Sequence, residues 1–131
     1  MSAMSNFLEI KILDHITGRT AYTKPSAVYL GLSTGDFTDT GSGSSELTIG
    51  TNGYSRKAVG FDAAASGATQ NTSAVDFDAA TGNWGTISHW ALFDAATGGN
   101  ALIVGAFSAS KTIETNDVLR IAAGDLDLTA A

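Results

Sequence analysis

The chain has 131 residues, of which 44% are hydrophobic and 15% charged, with a net charge of −6. The length fits one domain with a core that needs no staples, and 0 Cys excludes disulfides and Cys-based zinc sites. The acidic balance excludes a phosphate-neutralising surface for nucleic acid. No apolar run is long enough for a membrane span, and no signal peptide is legible.

In chain order, Met1 to Ser5 reads as an arm without periodicity. A helix is predicted over 6–17. Asn6 is placed to cap it, and Glu9 three residues on completes a capping box. Leu8, Ile12 and Ile16 fall at i, i+4 and i+8, widened by Phe7 and Leu13. Gly18 is placed to stop the helix in the left-handed conformation. Lys11, Asp14 and His15 lie toward the wetter side. Such a stripe either covers an open end of a sheet core or serves as a docking element.

A β-domain is predicted over 27–129. The first strand, Ala27 to Thr34, follows Pro25. Gly35 to Gly53 is long and rich in Gly and Ser, which marks a functional loop. Glu46 to Ile49 within it suits a short edge strand. Tyr54 to Phe61 reads as a further strand, and Ala68 to Phe77 as a weak one ending in Val75-Asp76-Phe77. The two richest apolar runs, Ile87 to Phe93 and Ala101 to Phe107, predict neighbouring central strands. The loop joining them carries Gly98, Gly99 and Asn100, residues that tolerate positive φ. Alternation separates Trp90 from Phe93 by face, so an apolar layer is expected on both faces. Lys111 to Glu114 is short. Asp117 to Ala122 and Asp125 to Thr129 read as a last pair across Ala123-Gly124. The total is seven or eight short strands and one N-terminal helix in a single mainly β domain, a β-sandwich or jelly roll.

Phe-Asp-Ala-Ala recurs at Phe61, Phe77 and Phe93. An inward Phe ending a strand and an Asp opening an Asx turn explain this without a duplicated unit.

The residues do not assemble into an enzyme signature. His15 and His89 are the two histidines, and no G-x-S-x-G elbow accompanies them. His89, between Ser88 and Trp90, suits a structural hydrogen bond. Asp36, Asp39 and Glu46 lack the spacing of a calcium loop, and Gly41-Ser42-Gly43 lacks the Lys of a phosphate cradle. Asn71-Thr72-Ser73 matches a glycosylation acceptor only for a secreted chain. Phe37 and Tyr54 would be the stacking aromatics of a sugar-binding module. No catalytic residue, cofactor or metal ligand is expected.

Three blocks carry a resemblance: Ser5 to Thr34, Gly53 to Arg56 (GYSR), and Asn83 to Phe107. Together they resemble a family of small tailed-bacteriophage virion proteins commonly labelled tail fibre protein. The family is similar in turn to the small β-sheet cement, or decoration, proteins of phage capsids. Two departures are visible: Ile10 stands where such helices often carry Asn, and Asn116 where Gly is usual. The resemblance implies a non-enzymatic virion structural protein, made in the host cytoplasm. The leading expectation is a capsid cement protein on the outer head surface, bridging major capsid subunits. A tail-fibre or baseplate component is the alternative, and a carbohydrate-binding module a further one. The expected partners are the major capsid protein and copies of the chain itself, as dimer or trimer, with neither nucleic acid nor membrane. The low charge content predicts that self-association. The expected contacts come from the arm (Met1, Ser2, Ala3, Met4, Ser5) and from Phe37, Leu47 and Ile49 of the long loop, apolar groups costly to leave in water.

Overall fold

The computed structural model describes residues 2–38 and 46–130. The protein is mainly β, as the pattern predicts. The described residues form nine strands, β1 (Ser2–Met4), β2 (Val28–Ser33), β3 (Lys57–Val59), β4 (Ala68–Gln70), β5 (Val75–Asp76), β6 (Gly85–Phe93), β7 (Ala101–Ile113), β8 (Arg120–Ile121) and β9 (Asp127–Thr129). One helix, α1 (Asn6–Ile16), follows β1. Five strands form an antiparallel sheet in the order β1-β7-β6-β2-β3. Two ribbons, β4-β9 and β5-β8, supply strands of the second layer.

The two apolar runs do form neighbouring strands, with β6 in the middle of the sheet. Side chains of β6 fill both faces. Ile87, Trp90 and Leu92 join the main core with Leu30, Leu32, Tyr54, Phe77 and Trp84. Ala91 and Phe93 form a second layer with Phe37 and Ala101. Trp90 and Phe93 therefore lie on opposite faces, as alternation requires. Ile87 shares Trp90's side because the register shifts between Ile87 and His89. The same irregularity lets β7 run on to Ile113, so Lys111 to Glu114 is not a separate strand but the end of β7 and the residue after it.

The closing pair differs from the sequence expectation. β8 and β9 do not pair with each other; β8 pairs with β5 and β9 with β4. Asn71 sits in the gap between them. Its amide nitrogen donates to the Ser73 and Ala122 carbonyls, and its carbonyl oxygen accepts from the Leu126 N–H. Its backbone accepts from Gly124 and donates to Leu126. Five bonds from one residue hold the two arms apart, and each arm then finds another partner. Asn71 is 1% exposed, so it is a structural hub rather than a modification acceptor.

Two smaller corrections concern the helix start and the repeated Phe-Asp. Ser5, not Asn6, is the N-cap: its backbone is extended and its Oγ accepts from the Leu8 N–H. Ser5 also donates through Oγ to the Ala101 carbonyl and through N–H to that of Leu102, so it ends β1 and starts α1 at one buried point. Glu9 then falls one position beyond capping-box reach. Phe77 and Phe93 do point inward. The Asp residues after the three Phe bond further away than an Asx turn does: Asp62 to Thr72, Asp78 to Lys57, Asp94 to the Asn100 N–H. Gly98 and Gly99 take positive φ and Asn100 does not, whereas Asn116 does.

Candidate functional site

Helix α1 lies against β7 and β1 at one side of the sheet. Leu8 is the helical residue it buries. Ile10, Leu13 and Ile16 stay 58–70% exposed and make three of the four large exposed apolar side chains among the described residues. They fall at i, i+3 and i+6, neighbours along one side of the helix. Beside them runs a groove of about 430 Å³ between α1 and β1, lined by Ala3, Met4, Glu9, Ile12 and Leu13. The charged groups of the helix are engaged locally. Arg19 lies 4.0 Å from Asp14, and the Lys11 ammonium sits 5.5 Å from the Phe7 ring centre. Thr17 caps the C-terminus, and Gly18 follows at φ +77, the left-handed stop its position predicted.

The expected stripe of Leu8, Ile12, Ile16, Phe7 and Leu13 is therefore not a buried stripe. Leu8 faces the domain, while Leu13 and Ile16 face water with Ile10. The signal was present in the sequence: six of the eleven residues in α1 are large and apolar, too many for one buried face.

A second constellation is internal. Arg56 has a side chain only 4% exposed. Its Nε and Nη2 meet both oxygens of Glu46 at 2.9 and 2.7 Å. Its Nη1 donates to the carbonyls of Ala95 and Gly98 in the β6–β7 loop. Its guanidinium lies over the Phe93 ring, 3.6 Å from the centre. The Tyr54 hydroxyl donates to Glu46 and accepts from the Leu32 N–H. Gly31 makes room for this cluster, since a Cβ there would come within 2.7 Å of both Glu46 and Phe93. One cation thus ties together the long loop, β2, β3 and the loop after β6.

Burial, with the Glu46 carboxylate beside it, raises the Tyr54 pKa well above the ordinary range, so the phenol stays a donor. A folded-state pKa above the unfolded value of about 10 contributes stability that is complete below about pH 10 and is lost as pH rises beyond it. Urea unfolding followed across the alkaline range should therefore show falling stability in the wild type and a shallower fall in Tyr54→Phe. Equal slopes would show that the phenol does not carry this dependence.

The expected contact residues are placed as follows. Ser2, Ala3 and Met4 form β1, opposite Gly105, Val104 and Ile103 of β7. Ser5 and Phe37 are buried; Phe37 packs edge-on against Phe93 at 6.0 Å. Leu47 and Ile49 pack on the main core. Met1 lies outside the described residues, as do Asp39 and the Gly41-Ser42-Gly43 run. The described end of the long loop folds back on its own sheet through a bridge between Ser33 and Glu46 and the Leu47 N–H bond to Leu32, not as a full edge strand. Phe37 and Tyr54 are thus core residues, unsuited to stacking on a sugar.

His89 bonds Ser88 through Nδ1 and pairs with Asp36 through Nε2. The three residue types of a Ser-His-Asp relay are joined here with the ring nitrogens exchanged, serine on Nδ1 and carboxylate on Nε2, and the Asp36 side chain is 88% exposed. A relay carboxylate works by fixing the imidazole's tautomer and orientation and stabilising the imidazolium from a buried position, and an exposed one adds little. The contact pins the loop after β2 to β6. His15 accepts from the Tyr22 N–H. Glu46 and Asp36 are committed to different partners, and no cluster of three metal-ligating side chains occurs among the described residues.

A family model described as podophage GP4 fiber I protein gp80 matches residues 3–129. No curated protein matches the chain.

Proposed function

The chain belongs to the podophage GP4 fiber I protein gp80 family and is a structural component of a phage virion; from that premise we propose that it acts without catalysis, as a clip on the particle exterior that holds neighbouring virion subunits. The observation that carries this reading is the exposed apolar row Ile10, Leu13 and Ile16 beside the α1–β1 groove. Large aliphatics gathered on one face of an otherwise acidic domain mark a protein-binding surface.

Two places on the particle suit such a clip. The description of the matched family supports a fibre-type appendage. A compact sheet domain with an acidic, under-charged surface supports a cement protein that binds the outside of the head and bridges major capsid subunits. A cement acts by linkage: binding only the assembled shell stabilises it by mass action. Gel densitometry of purified particles separates the two. Hundreds of copies per particle establish the cement role, and a few to some tens establish the fibre. Absence from purified particles overturns both.

A further inference from the structure

We infer that the exposed row of α1 is the docking site for a second copy of this chain, about a twofold axis that sets Leu13 against Leu13. The inference rests on the reading of that face as a protein interface and names its occupant. Charge distribution selects the occupant. Side chains of residues 2–20 carry Glu9 and Asp14 against Lys11 and Arg19, a net charge of 0. The remainder then holds 7 − 2 = 5 basic and 13 − 2 = 11 acidic residues; of these Asp127 of β9 stands beside β1, and the bulk of the −6 lies away from this face. Two copies repel over most of their surfaces, and the α1–β1 face is where they can meet without like-charge contact. A basic partner would find no attraction there.

Geometry fits the same occupant. An isologous pair needs a patch that complements itself. Antiparallel crossing at Leu13 brings Ile10 of one copy to Ile16 of the other. Of the charged groups that flank the row, Asp14 lies 4.0 Å from Arg19, just past the helix, and Lys11 lies over the Phe7 ring, so each keeps a local partner as the pair closes. The neighbouring strand β1 is the outermost strand of its sheet, which places the contact at the rim of the domain.

The chain has 0 Cys, so one introduced thiol reports position cleanly. Under a mild oxidant, Leu13→Cys should link copies covalently in high yield. Val118→Cys, at the exposed aliphatic outside α1, should link at least several-fold more slowly. Sedimentation of the wild type at tens of micromolar should give a dimer, and Leu13→Glu a folded monomer with unchanged circular dichroism. A monomeric wild type, or equal linking at both thiols, overturns the inference. If it falls in this way while Leu13→Glu still loses attachment to the particle, another virion protein occupies the face and the interface reading stands. If Leu13→Glu attaches like the wild type as well, both fall.

Discussion

Arg56→Met should cost about 3–5 kcal/mol of unfolding free energy, because it strands the Glu46 carboxylate in a site with 6% exposure. The same change leaves the Ala95 and Gly98 carbonyls without their donor. Set against a typical domain stability of about 5–15 kcal/mol, that loss is a large share. Arg56→Lys should cost nearly as much, since an ammonium cannot hold two carboxylate oxygens, two carbonyls and a ring face at once. Replacing Arg56 by Met and Glu46 by Leu together should restore much of the loss, because no buried charge then lacks a partner. Urea unfolding of the three variants checks this. A single-variant loss below about 1 kcal/mol would show that water reaches the pair and that it is not the tie between the loops.

Trp90→Ala should cost about 3–5 kcal/mol through lost burial and the cavity it leaves. Trp90 is 3% exposed, faces Leu32 across β2, and contributes to the main core. Its neighbours are strand residues on one side and ribbon residues on the other, and neither layer can collapse fully into the gap. The same substitution at Ile16, 70% exposed, should stay within about 0.5 kcal/mol. Comparable losses at the two positions, in thermal or urea unfolding, would contradict the division into core and docking face.

The central strands were legible because their signal is local. Two uncharged runs of strand length, rich in β-branched and aromatic residues, have few alternatives, and they became β6 and β7. Face assignment followed alternation until the register shift at Ser88, which no pattern of period two announces. What pattern could not reach were the ties made by single polar residues. Arg56 reads only as a basic residue of the Tyr54 to Phe61 strand, yet its partners lie 10 to 42 positions away in sequence. Asn71 looked like part of a glycosylation triplet and instead wedges the last two strands apart. Phe37 in a Gly-rich loop looked free for a partner. The structure packs it on Phe93, so Phe37→Ser would be a core lesion. For the docking face, the sequence showed an over-apolar helix but not which side the sheet would cover. That depended on Ser5 anchoring the helix start to Ala101 and Leu102, which fixes its rotation.

The central claim is that a non-catalytic domain binds the particle as a pair closed through the face of α1. Its most direct test is add-back of purified protein to particles that lack it, with occupancy measured against concentration. Wild-type protein should bind saturably. The Leu13→Glu, Ile16→Ser variant should lose at least tenfold in apparent affinity while melting at the wild-type temperature, because a monomer gives up the second attachment of a pair. Equal occupancy curves for the two proteins would contradict the claim.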